Sequence, residues 1–335
     1  MLHRKRKPRI ARVGLLCCGM LAPLAISGPL DGTAQGPAYP SRPVRLIVPY
    51  APGGATDTLA RMLATDLGTA FGQSFLVENR PGASGAMGLE AAARAPADGH
   101  TLVLINSTHA SWLALGGDTS IDLLHDFVPV ALLGNSPVLI ATTVRIKAAT
   151  LDEFVQRARA HPGSLTYASC GVGTAGHVVG EQLKITASIE MVHVPYRGCA
   201  PAVQAALGGH VDLVVTSVTS GLPYIGPDRL RGLAVTSPHR LAAAPDLLTV
   251  AELGYSELAI EVWHGLLAPV NTPSEVVQRL QDETLRALQT DANRLWLTRI
   301  GIDPAFGTGD EFGALLRADM KRYREVVERA RLKKQ

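Results

Sequence analysis

The residues best suited to chemistry in this chain are small ones, gathered in four loops. Ala51-Pro-Gly-Gly-Ala-Thr-Asp57, Cys170-Gly-Val-Gly-Thr-Ala-Gly176, Tyr196-Arg-Gly-Cys-Ala-Pro201 and Ser217-Val-Thr-Ser-Gly221 each follow a short apolar run and lead into a helical pattern. The first backbone N–H groups of a helix have no intrahelical partner and lie at the positive end of its dipole. Such an end binds anions without Lys or Arg, and glycine lets a ligand come close to the backbone. One such loop reads as an ordinary tight turn. Four on one edge favour a site for a small molecule with carboxylates. Asp57 suits two roles, capping its own helix or meeting an amino or hydroxyl group of the ligand.

Other chemistries find little support. Gly171-Val-Gly173-Thr-Ala-Gly176 is read as a turn feeding a helix rather than as a dinucleotide fingerprint. The sequence has no Gly-Lys-Ser/Thr for a nucleoside triphosphate, no Gly-x-Ser-x-Gly elbow and no His-Glu-x-x-His. His109, His177, His193 and His264 are scattered and read as hydrogen-bonded structural residues, with His177 the nearest to an exception because it follows a Gly-rich loop. The expectation is therefore no catalytic residue, no cofactor and no metal. Cys170 and Cys199 either pair or sit as small buried hydrophobes; two cysteines alone make no metal site.

The elements that must hold these loops alternate strand and helix, as in a sheet covered on both faces. Val44–Pro49, Phe75–Glu78 and Thr101–Asn106 read as strands. Leu59, Met62, Leu63, Leu67 and Phe71 fall at helical spacing, and a small-residue helix starts near Ser84. Leu165–Ser169, Met191–Pro195 and Val211–Thr216 are strands whose following loops share one edge if they run parallel. Thr150-Leu-Asp-Glu153, Thr272-Pro-Ser-Glu275 and Thr308-Gly-Asp-Glu311 have the form of capping boxes.

With 335 residues, 47% hydrophobic and 18% charged, the chain is globular and large enough for one big domain or two modest ones. Its formal charge of +3 is misleading, because Arg4, Lys5, Arg6, Lys7, Arg9 and Arg12 lie in the first 34 residues against Asp31 alone. The remainder is slightly acidic and has no field to draw nucleic acid or an anionic bilayer. Those first residues form a basic stretch, an apolar run Val13–Ile26 broken by Pro23, and Gly32-Thr33-Ala34 before Gln35. The run is shorter than the roughly 20 residues of a membrane span and reads as a cleaved secretory signal, residues 1–34.

Pro43-Val-Arg-Leu-Ile-Val-Pro-Tyr-Ala-Pro-Gly-Gly-Ala-Thr-Asp57, Val77-Glu-Asn-Arg-Pro-Gly-Ala-Ser-Gly85 and Ala97-Asp-Gly-His-Thr-Leu102 resemble the Bug family. These are extracytoplasmic substrate-binding proteins of tripartite tricarboxylate transporters. The resemblance continues through Tyr167-Ala-Ser-Cys-Gly-Val-Gly-Thr174, Val194-Pro-Tyr-Arg-Gly198 and Trp263-His-Gly-Leu-Leu-Ala-Pro269. It implies an α/β, type II periplasmic-binding-protein fold: two lobes joined by two crossover strands near Leu139 and Val262. Lobe one would be 35–138 plus 263–335, and lobe two 139–262. The resemblance implies ligand-binding groups at Tyr50, Ala51, Gly53, Gly54 and Asp57, with Ser84, Gly85, Asn106 and His109 beside them. From lobe two it implies Cys170, Gly171, Gly173, Thr174 and His177, and Ser217 opposite. The family usually has Ser at Cys170, and a Cys170–Cys199 disulfide is an open expectation. The implied function is non-enzymatic capture of a small carboxylate by a periplasmic monomer that delivers it to membrane transporter subunits, or, alternatively, presents its closed form to a sensor receptor.

Overall fold

A computed structural model describes residues 39–330 apart from 115, 118 and 119; the side chains of 84, 114 and 323–330 lie outside the description, as does the expected signal at 1–34. The strands are β1 (Val44–Val48), β2 (Phe75–Asn79), β3 (Thr101–Asn106), β4 (Phe127–Thr143), β5 (Leu165–Ser169), β6 (Met191–Pro195), β7 (Leu213–Ser217), β8 (Leu230–Val235), β9 (Glu261–Pro269) and β10 (Asp303–Thr308). The α-helices are α1 (Ala55–Phe71), α2 (Ala86–Ala93), α3 (Ser107–Ala114), α4 (Leu151–Ala160), α5 (Ala175–Ala187), α6 (Cys199–Leu207), α7 (Val218–Gly221), α8 (Ser274–Gln289), α9 (Asp291–Arg299) and α10 (Gly309–Ala330).

One strand belongs to both halves of the molecule. From Phe127 to Pro137, β4 pairs antiparallel with β9, which continues through β3 and β1 to β2. From Val138 to Thr143, the same strand pairs with β7 and β8, and β7 continues through β5 to β6. The chain returns where Glu261 and Val262 of β9 pair with Pro137 and Ser136. The expected two α/β lobes joined by two crossover strands are thus formed by the sheet itself.

Each half is covered on both faces, which is why its central strands are continuous apolar runs. In the first lobe Leu59, Leu63 and Leu67 of α1 pack with Leu280 and Leu288 of α8 on one face, while Leu89, Phe312 and Leu316 fill the other. In the second, Phe154, Val179 and Leu183 lie on one face and Val203, Ala206 and Val218 on the other. Gly176 is required at the start of α5. A Cβ there would lie 2.3 Å from the Val215 carbonyl oxygen, so only glycine lets the helix end rest on β7.

One of the three expected capping boxes forms in full, where Thr308 and Glu311 exchange hydrogen bonds. At Thr150 the hydroxyl accepts from the Glu153 amide, but the Glu153 carboxylate takes the amide of Ala149 instead of that of the cap. The Thr272 box does not form. Thr272 donates instead to the Pro269 carbonyl, so α8 starts a residue later, at Ser274, with Pro273 as its uncapped N-cap. The helix placed near Ser84 begins at Ala86 after a 3-10 turn over Ala83–Gly85. No helix among the described residues is long and apolar enough to cross a membrane.

Candidate functional site

The C-terminal ends of β1, β5, β6 and β7 face one another across the junction of the lobes, and their loops enclose a cavity of about 90 Å³. That is space for about six waters, the scale of a compact organic acid. It opens toward a larger outer cleft of about 710 Å³ that shares Tyr50, Ala51, Thr108, Cys170, Thr174 and Gly198 with it. The lobes touch around the cavity. Ser220 Oγ donates to the Gly53 carbonyl at 3.3 Å, and the buried Ser111 Oγ shares its proton between the Thr108 carbonyl at 2.9 Å and the Gly173 carbonyl at 3.2 Å. This is a closed arrangement.

Two helix starts supply the donors. α1 begins at Gly54, whose backbone is extended and which has no side chain to cap the helix. The amides of Ala55 and Thr56 carry no hydrogen bond among the described residues, and both residues line the cavity. On the opposite lobe, Thr174 caps α5 by accepting from the His177 amide, which leaves the amides of Ala175 and Gly176 in the same condition at the same cavity. No Lys or Arg among the described residues lines it. Arg197 lines the outer cleft.

Of the expected residues, Tyr50, Ala51, Gly54, Asp57, Asn106, Cys170, Thr174 and Ser217 come together on the cavity wall, and Gly85 and Gly171 line the outer cleft. Gly53 and Gly173 stand elsewhere in the scheme, because their amides are already used. The Gly53 amide donates to Asp57 Oδ2 at 3.0 Å, and the Gly173 amide donates to His177 Nδ1 at 3.1 Å. The free amides therefore lie two and three residues past these loop glycines. His177 shapes its loop from behind, stacked on His193 with ring centroids 4.3 Å apart. His109 lies behind Tyr50, its Nδ1 2.8 Å from the phenol oxygen, against Gly85. Ser84 lies in the 3-10 turn, with its side chain outside the described residues.

Asp57 brings a carboxylate to an anion cavity, and its partners neutralise it. Burial opposes its ionisation, but hydrogen bonds from Arg61, the Gly53 amide and Asn79, with the Arg61 charge, hold it below the ordinary carboxylate range. Its role is to fix the loop, not to cap α1 through its own first amide. Burial keeps the neighbouring rings neutral, pushing His109 down to about 4 and His264 down to about 3.

Cys170 and Cys199 are joined by a disulfide, and both residues line the cavity. The bond ties the β5–α5 loop to the start of α6, making a rigid wall where a serine would have offered a hydrogen bond. The cavity residues missed from the sequence are Ala55, Thr56, Thr108, Ser136, Val138, Ala175, Gly176, Gly198, Cys199, Val262 and His264. Ala55, Thr56, Ala175, Gly176, Gly198 and Cys199 stood in the singled-out loops and gave a usable signal; the other five lie outside those loops.

The sequence profile described as the tripartite tricarboxylate transporter family receptor matches residues 59–332. BugT of Bordetella pertussis is 35% identical over 293 residues, covering 86% of this chain and 89% of its own. Among solved structures, the periplasmic binding protein BugD is 29% identical with a TM-score of 0.83, covering 89% of this chain and all of its own. An R. palustris protein solved with adipate is 31% identical with a TM-score of 0.83, over 87% of this chain and 97% of its own. The fold is that of these periplasmic binding proteins.

Proposed function

Because the chain belongs to the tripartite tricarboxylate transporter receptor family, a family of solute-binding proteins, we propose that it captures a small carboxylate between its lobes and delivers it to the membrane subunits of such a transporter. The observation that supports this reading most is the pairing of two helix starts, α1 and α5, each with two amides free of hydrogen bonds, on one enclosed cavity with no cationic side chain among the described residues. Each lobe then supplies half of the donors. A carboxylate is bound fully only when the lobes are together, and that difference in contacts is what shifts an open–closed equilibrium. The ligand-binding set is Tyr50, Ala51, Gly54, Thr56, Asn106, Cys170, Thr174 and Ser217, with the amides of Ala55, Ala175 and Gly176. The lobes divide at the switch in β4 pairing, with 35–138 and 263–335 on one side and 139–262 on the other. Residues 1–34 direct export and are removed, and the mature protein works as a periplasmic monomer.

The test is a thermal-shift screen of the protein lacking residues 1–34 against C3–C8 monocarboxylates, dicarboxylates, tricarboxylates, hydroxy acids and amino acids, because a ligand bound only by the native state raises the melting temperature. At least one acid should stabilise the protein saturably. Cells lacking the protein should then lose uptake of that labelled acid. A panel in which no acid shifts the transition would overturn the reading.

A further inference from the structure

The inner end of the cavity is formed by the two crossover strands, and it carries polar groups that the folded chain leaves unused. Ser136 on β4 pairs with Val262 on β9, and His264 follows two residues later on the same face. Both Ser136 and His264 are 1% exposed and both line the cavity. Ser136 Oγ and His264 Nε2 have no hydrogen-bond partner among the described residues. Buried polar atoms are ordinarily paired, so two orphans on one cavity wall point to a missing partner there.

The neighbouring hydrogen bonds say what that partner must be. The Thr108 amide donates to Asn106 Oδ1 at 3.0 Å, which fixes the side-chain amide, since only the oxygen can accept. Asn106 Nδ2 therefore donates to Thr56 Oγ1 at 3.1 Å. That hydroxyl lies 3.2 Å from His264 Nδ1 and, with no other acceptor for its proton among the described residues, donates there when the ring's proton is on Nε2. A ring that accepts at Nδ1 carries its proton on Nε2. In that tautomer His264 is a neutral donor on the cavity wall.

We propose that His264 Nε2–H and Ser136 Oγ form a polar floor on the crossover strands that binds an oxygen acceptor of the captured acid, making His264 a specificity-determining residue. This rests on the carboxylate reading above and deepens it, since the floor accepts a carboxylate, carbonyl or hydroxyl oxygen and rejects an apolar tail. It also places a ligand contact on the strands about which the lobes turn.

The acid that most stabilises the wild-type protein in the screen is taken to calorimetry with His264→Phe, His264→Gln and Ser136→Ala. Loss of a bond to a charged or polar acceptor from His264→Phe should weaken binding about tenfold to hundredfold. Ser136→Ala should weaken it about threefold to tenfold. His264→Gln, which restores a donor, should recover part of the loss. Should His264→Phe fail to fold, the Gln and Ala variants decide the matter, with losses in both supporting the floor. The same variants titrated with analogues lacking one oxygen group show which group is read, because the variant and the analogue should then cost no more together than either does alone. Wild-type affinity in the folded variants would overturn the floor while leaving the carboxylate reading intact. A wild-type protein that binds no acid would overturn both.

Discussion

Replacing Gly54 by Asp separates helix stability from ligand binding. Gly54 has φ −88° and ψ 172°, extended backbone that any residue adopts, and a Cβ there would meet nothing within 4 Å. Aspartate is among the preferred N-cap residues, better than glycine by a few tenths of a kcal/mol, so Gly54→Asp should fold as well as the wild type or slightly better. Its carboxylate would accept from the α1 amides that otherwise face the cavity, and would set a negative charge beside the bound acid. Two like charges about 4 Å apart repel by about 4 kcal/mol at the effective dielectric of a partly screened site, roughly a thousandfold in affinity. Gly54→Ser, which fills the same amides without the charge, should cost about tenfold. The assay is calorimetric titration of the three proteins with the most stabilising acid, beside their thermal melts without ligand. Affinity within threefold of wild type for a folded Gly54→Asp protein would refute the reasoning, because the α1 start would then not hold the acid.

Reduction, or Cys170→Ser with Cys199→Ser, opens a loop of 29 residues and should cost about 3–4 kcal/mol of unfolding free energy along with most of the binding; denaturant titration with free-thiol counting checks both, and unchanged stability in a protein shown to be reduced would count against it. Gly176→Ala drives a methyl into the Val215 carbonyl and should destabilise by about 1–3 kcal/mol, displacing the α5 amides and weakening binding as well; a neutral effect would mean that α5 does not rest on β7. His109 and His264 are held neutral by burial, down to about 4 and about 3, so below their ordinary value of 6.5 the unfolded chain binds protons that the native state refuses. Stability should therefore fall as pH drops from about 6.5 to 4, by up to about 1.4 kcal/mol per pH unit for each ring. Urea titrations across that window would contradict the assignment if the unfolding free energy stayed level.

The sheet and the ends of its strands were legible because their signals are local. The Val44–Val48 run, the stripe from Leu59 to Phe71 and the Gly-rich turns need no tertiary information to be recognised. Whether a loop amide is available is a tertiary fact. Gly53 and Gly173 read as donors, yet Asp57 and His177, four residues on in each case, take their hydrogens. The pairing of Cys170 with Cys199 needs β5 and β6 adjacent in register, with the two Cα atoms 4.3 Å apart, and composition says nothing of that. Ser136 was not singled out and His264 was read as a structural residue for a similar reason. They lie outside the four small-residue loops, and only the switch of β4 from one lobe to the other turns that stretch into a cavity wall. Thr272 shows the opposite error, a motif with the right residues whose hydroxyl found a nearer acceptor in the Pro269 carbonyl.

The most direct measurement is a crystal structure of the protein with the acid that stabilises it most. A carboxylate gripped by peptide nitrogens from the beginnings of α1 and α5 together, at 2.7–3.2 Å, is the expected result. An acid paired with Arg197 or another cationic side chain, or seated away from both helix starts, would contradict it.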